Sequence, residues 1–370
     1  MVYSKKEIDD SFLYLIEKMK KNKECFYDYI KFNKFYMYSQ PNLNIPDEII
    51  REVNRLVDNQ KEYNSEILNE LTDLNKSGLK IVGLKGIFLA LRYYEKPEKR
   101  IFNDVDLLIH SKDAYQLNKI LIENNFKINS GTFLYNNNVL FNKLKSTYIK
   151  NVHAIDYTKS NQSCSKNINL EIHSNFNVHK LCKFDMKSVF NNAVLLNNCS
   201  NIYVLNPYDE LLFLMYHLES HLFYFNIYGN DNCISLQNIY DICLICLYEN
   251  IDFEILHKLS KKYKVEEYFM FVTMILNKLD IEFKNSRKFD MKNYKRRSIK
   301  YFKLNQFEEL LIEDLIMGNF INDLRFISKM FNEMILCQNQ ISKQVISCVC
   351  QAKLIKQNIK YDAKKIRKNI

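Results

Sequence analysis

Apolar residues recur at helical spacing over residues 6–38, where Ile8, Phe12, Leu15, Ile16 and Met19 form one stripe until Pro41 and Pro46 interrupt it. Asp47 opens a longer helical stretch through Ile50, Val53, Leu56, Val57, Ile67, Leu71 and Leu74, which Ser77-Gly78 predicts to end. The period then changes. Leu79-Lys80-Ile81-Val82-Gly83-Leu84 is short and apolar enough for a buried strand, and Gly86 begins a helical run that stops before Pro97. Asp104 to Ile109 reads as a second strand, and Ser111 as the cap of a helix whose apolar face is Tyr115, Leu117, Ile120, Leu121 and Phe126. Further strands are predicted at 126–129, 138–143, 147–157 and 168–173, between Asn-rich turns. Asn206-Pro207 has the chemistry of a helix start, and the pattern beyond it is helical. The expectation is an α+β fold: helices over 1–78, a small mixed β-sheet core over 79–205, and a helical domain with a basic tail over 206–370.

Composition alters this picture in few places. A chain of 370 residues with 47% hydrophobic content can bury a sizeable core. No window reaches 18 uninterrupted apolar residues, so no transmembrane segment is expected. Ten cysteines behind an amino terminus without signal-peptide character point to reduced thiols and a cytoplasmic location. The net charge is +10, but residues 338–370 hold eight basic side chains and one acidic, so the body is close to neutral. That balance favours a small molecule, peptide or protein partner over a long nucleic-acid track. In the tail, Ile341, Val345, Val349, Ile355 and Ile359 form a stripe among lysines, suited to packing on the domain or to an anionic surface.

Three elements carry candidate chemistry. Gly78, Gly83 and Gly86 are three of only six glycines and fall at a strand-to-helix junction, where backbone N–H groups favour phosphate and Lys85 adds a charge. Asp104 and Asp106 stand at i and i+2 of a strand, so their carboxylates share a face and repel unless a cation lies between them. Hard oxygen ligands of this kind suit Mg²⁺ or Mn²⁺. In Ile168-Asn169-Leu170-Glu171-Ile172-His173, alternation puts Glu171 and His173 on one face, where Glu171 could complete a metal site or take a proton. Each element alone has an ordinary reading as a helix cap, a chance triplet or a solvated glutamate.

Their order and spacing resemble a family. Leu84-Lys85-Gly86, Tyr94, Arg100 and Asn103-Asp104-Val105-Asp106-Leu107-Leu108-Ile109 are similar to the signature of an uncharacterised bacterial nucleotidyltransferase family within the polymerase-β-like superfamily. The likeness extends to Glu171-Ile172-His173, to Tyr216-His217-Leu218-Glu219-Ser220-His221 and to Tyr240-Asp241-Ile242. Lys85-Gly86 stands where better-known superfamily members have Gly-Ser, and Asn103 where this family often has Gly or Ser. The resemblance implies that Asp104, Asp106 and Glu171 hold catalytic metal. Lys85, Gly86, Arg100 and His173 would then bind the nucleotide, with Tyr94, His217, His221 and Asp241 near the site. An acceptor hydroxyl would attack the α-phosphorus of an NTP, ATP first among them, and release pyrophosphate.

Two other readings stay open: a nucleotide-sensing protein without turnover, and a zinc hydrolase using His217 and His221, which share a helix face, with Asp241 as third ligand. Cys243-x-x-Cys246 and Cys348-x-Cys350 lie in apolar helical patterns and read as buried thiols.

Overall fold

Helices α1 (Lys5–Lys20) and α2 (Asp47–Asn75) realise the first two apolar periodicities, and Asp47 and Glu48 place negative charge at the amino-terminal end of α2, where the helix dipole favours it. Helix α2 is followed by Gly78 at φ +71°, the conformation expected of a glycine there. The computed structural model describes residues 4–20, 47–128, 155–160, 166–176, 182–196, 202–228, 236–278 and 281–289. These belong to one compact unit, Met1–Met291. The strand expected at 138–143, the basic tail and Cys348 and Cys350 lie outside the described residues.

Next come β1 (Ile81–Gly83), α3 (Ile87–Tyr93), β2 (Val105–Ile109), α4 (Ala114–Glu123), β3 (Lys127–Ile128), β4 (Ile155–Lys159) and β5 (Ile168–His173). Then follow α5 (Met186–Asn192), β6 (Val194–Leu195), β7 (Tyr203–Val204), α6 (Pro207–Tyr228), α7 (Leu236–Tyr248), α8 (Phe253–Tyr263) and α9 (Glu266–Lys278). Among the described residues the strands form one seven-stranded mixed sheet of order β3-β4-β5-β2-β1-β7-β6. Strand β2 is antiparallel to β1 and parallel to β5, and β5 is antiparallel to β4. The fold is α+β.

One face of the sheet is apolar. Val105, Leu107, Ile109, Ile155, Tyr157, Ile168, Leu170 and Ile172 pack with Tyr63, Ile67, Leu71 and Leu74 of α2 and with Leu117 and Leu121 of α4. The alternate residues, Asp106, Glu171 and Asp156, therefore project to the other face.

Local details differ from the sequence reading. Helix α4 starts at Ala114 with Asp113 rather than Ser111 at its N-cap, because residues 111–113 form a turn. Phe126 lies past the end of α4: Asn125 takes φ +66° and the Phe126 N–H donates to the Leu121 carbonyl at 2.9 Å, folding the ring back into the core. Helix α5 and strands β6 and β7 are additions that their short segments did not announce. At α6 the Asn206 side chain accepts from the Tyr208 and Asp209 N–H groups at 3.1 and 3.2 Å, capping a helix that begins with Pro207.

Candidate active site

The turn joining β1 to α3 is built on close approach. Gly86 has φ +63°, and a Cβ placed there would stand 3.1 Å from the Asp104 carbonyl oxygen. The Leu84 N–H donates to the Asp106 carbonyl at 3.1 Å, so this turn and the acidic strand are tied by backbone. Gly83 is equally constrained, since an added Cβ would lie 2.3 Å from the Phe88 ring.

Register brings the carboxylates together. Asp106 on β2 stands opposite Glu171 on β5, and Glu171 opposite Asp156 on β4. Directly opposed residues point to the same face, so three acidic side chains form a row across three strands. Among the described residues, atoms of Asp106, Glu171 and His173 lie within 4.8 Å of one another, close enough to hold one metal ion. Asp104 joins this set through Lys85, whose Nζ lies 3.8 Å from Asp104 Oδ2 and 3.3 Å from Asp106 Oδ1.

Lys85 is almost enclosed, and its Nζ also donates to His217 Nε2 at 3.1 Å. An ammonium has only donors, so Nε2 is the acceptor and the ring is neutral with its proton on Nδ1. The His173 Nε2–H donates to Asp106 Oδ1 at 3.1 Å and orients that carboxylate.

The electrostatics follow from this crowding. Burial opposes charge on Asp106, yet the Lys85 ammonium and His173 outweigh it and hold the carboxyl well below the usual range. Glu171 moves the opposite way: burial first, then the Asp106 charge, push it up to about 8. Burial lowers Lys85, but Asp106, Asp104 and Glu171 more than offset this and its pKa is raised. Asp106 Oδ2 is buried and has no hydrogen-bond partner among the described residues. An acceptor-only oxygen in that condition is costly unless a cation faces it. The donor set therefore fits a divalent metal with oxygen preference.

Arg100, expected at the triphosphate, is committed elsewhere. Its Nε and Nη2 donate to Asp241 Oδ1 and Oδ2 at 3.0 and 2.7 Å, both side chains are buried, and Tyr94 donates to the same carboxylate at 2.7 Å. A planar fork saturating a carboxylate cannot present those N–H groups to phosphate. Beside it, Gln237 accepts from the Ile101 N–H at 3.1 Å and donates to the Ile101 carbonyl at 2.9 Å. Tyr63 and Asn169 donate to the Asn103 carbonyl at 3.1 and 3.3 Å. Residues 100–103, which lead into the acidic strand, are thus fixed from α7, α2 and β5.

The zinc arrangement gains no support here. Both Asp241 oxygens are taken by Arg100 and Tyr94, and His217 accepts from Lys85. His221 lies one turn further along α6, and its side chain is outside the described residues. Cys243 and Cys246 are buried thiols, and burial raises both pKa values, as inert core cysteines require.

Asp156, Tyr63, Asn169 and Gln237 belong to no motif legible in the sequence. Asp156 alone left a signal, the alternation Ile155-Asp156-Tyr157-Thr158, which carries no sign of which strand lies beside it.

No helix among the described residues is long and apolar enough to cross a membrane. Comparison with curated proteins finds no match. The profile of a family described as uncharacterised nucleotidyltransferase matches residues 37–279, well over half the chain and the whole of the acidic site. With a mixed sheet that sets Lys85-Gly86 against paired carboxylates, the chain belongs to this nucleotidyltransferase family.

Proposed function

We propose that the protein is a divalent-metal-dependent enzyme that transfers a nucleoside monophosphate from an NTP, ATP first among the candidates, to a hydroxyl acceptor. The observation that carries this reading is the register pairing of Asp106 with Glu171, which with Asp104 converges carboxylates beside Lys85 and Gly86. Asp104, Asp106 and Glu171 would hold Mg²⁺ or Mn²⁺, which when bound stabilises the attacking and leaving oxygens. His173 orients Asp106. Lys85 and the Gly86 backbone would face the phosphates, and the acceptor oxygen would bond to the α-phosphorus as pyrophosphate leaves.

Arg100 has a different part in this reading: with Asp241, Tyr94 and Gln237 it positions the loop that carries Asp104. A small molecule, peptide or protein acceptor agrees with the near-neutral body better than a polynucleotide does.

The test is transfer of label from each α-labelled NTP, with Mg²⁺ or Mn²⁺, to the protein itself or to fractions of a cell extract. Label transferred by the wild type and lost in Asp104→Asn and Asp106→Asn, with folding retained, is the expected result. NTP binding without transfer would favour a sensing role. No NTP binding would overturn the proposal.

A further inference from the structure

The ammonium of Lys85 occupies the position that the carboxylate pair prepares for a cation. It lies 3.3 Å from Asp106 Oδ1 and 3.8 Å from Asp104 Oδ2. Mg²⁺ binds oxygen at about 2.1 Å, so an ion that used Asp106 Oδ1 and Asp104 Oδ2, the two oxygens the ammonium faces, would stand no more than about 5.4 Å from Lys85 Nζ. Two cations at that range, in a site where the Lys85 side chain is only 14% exposed, repel with little screening. The lysine therefore has to give ground when metal binds.

It has somewhere to go. His217 on α6 already accepts from the same Nζ at 3.1 Å. A flexible four-carbon stem with three rotatable donors can keep that bond while releasing Asp104 and Asp106. The freed charge then needs a new anion, and the phosphates of an incoming nucleotide supply one beside Gly86.

We propose that Lys85 competes with the divalent metal for Asp104 and Asp106, so that metal alone binds weakly and metal with nucleotide binds strongly. The inference rests on the metal-dependent reading above and adds an order to it: His217 acts as the resting place of the displaced ammonium, and nucleotide phosphate as its destination. Free metal is thereby kept from occupying the site unproductively.

The experiment measures Mn²⁺ binding to the full chain by electron paramagnetic resonance of free Mn²⁺, without nucleotide and with an α,β-methylene ATP analogue. Wild type, Lys85→Met, Lys85→Arg and Asp106→Asn are compared, with thermal melting to confirm folding. Lys85→Met should bind Mn²⁺ alone on the order of tenfold more tightly than wild type, within the usual range of coupling between sites. Lys85→Arg should remain close to wild type. The analogue should tighten Mn²⁺ binding less in Lys85→Met than in wild type.

Equal or weaker Mn²⁺ binding in a folded Lys85→Met would overturn the inference while leaving metal dependence intact. Lys85→Gln gives the same reading if the methionine variant does not fold. Unchanged Mn²⁺ affinity in Asp106→Asn would instead overturn the metal reading itself, and this inference with it.

Discussion

Gly86 and Asp104 meet through backbone: the side chain that Gly86 lacks would lie 3.1 Å from the Asp104 carbonyl oxygen, while Gly86 itself holds φ +63°. The glycine proposed to face the phosphates is thus also the one that lets the acidic strand come close. Gly86→Ala should cost about 1–3 kcal/mol from backbone strain, because φ +63° with ψ −122° lies outside even the left-handed helical region. It should also lower Mn²⁺ affinity, because Asp104 must shift. Denaturant titration and metal binding on the same variant check both effects; wild-type metal affinity in a destabilised protein would separate the turn from the carboxylates.

Gly83 offers a contrasting case. A methyl there would meet the Phe88 ring at 2.3 Å, a packing conflict rather than a strained φ. Gly83→Ala should destabilise by about 1–3 kcal/mol, as overpacked cores do. Phe88→Leu made in the Gly83→Ala background should recover part of that loss, and a strictly additive pair of losses would count against the account.

The Arg100–Asp241 pair is buried, bidentate and reinforced by Tyr94. Removing one partner strands the other charge, so Asp241→Asn and Arg100→Met should each cost about 3–5 kcal/mol. The double variant should cost less than the sum of the two, the signature of direct coupling. Tyr94→Phe should cost only about 1 kcal/mol. Chemical denaturation of the four proteins decides this.

The buried carboxyl of Glu210 should make stability depend on pH. Glu210 lies within 2.6 Å of Arg92 and 3.1 Å of the Tyr93 hydroxyl, and burial, the largest influence, pushes it up to about 7 from 4.5. The folded state then binds more protons than the unfolded state between these values. Its contribution is fully present below pH 4.5 and is lost as pH rises through 7. The expected size is on the order of 1 kcal/mol per pH unit within that window. Glu210→Gln should flatten this component when denaturation is compared at pH 5 and pH 8; an unchanged pH slope would show that Glu210 does not supply it.

Much of the site could be read from the sequence because its parts obey local rules. Alternation alone puts Asp104 with Asp106 and Glu171 with His173, and glycine clustering marks the turn at Lys85. Long-range information was missing. Nothing in the order of residues says that β5 lies beside β2 in a register that opposes Glu171 to Asp106, or that β4 adds Asp156 to the row. Arg100 shows the same gap. An arginine four residues before an aspartate suits phosphate or a structural partner equally, and only the approach of α7 hands it to Asp241. Phe126 has the spacing of the helix face before it; the left-handed Asn125 is what turns it back.

The hold of Gln237 and Asp241 on residues 100 and 101 spans 136 to 141 positions of chain. The sheet and the helices after residue 206 are therefore not interchangeable parts. A sheet grafted from a relative would arrive with its acidic loop unmoored unless α7 came too, and drift at position 241 would have to be answered at position 100. What reads along the chain as an appended helical module is, mechanically, the anchor of the loop that delivers Asp104.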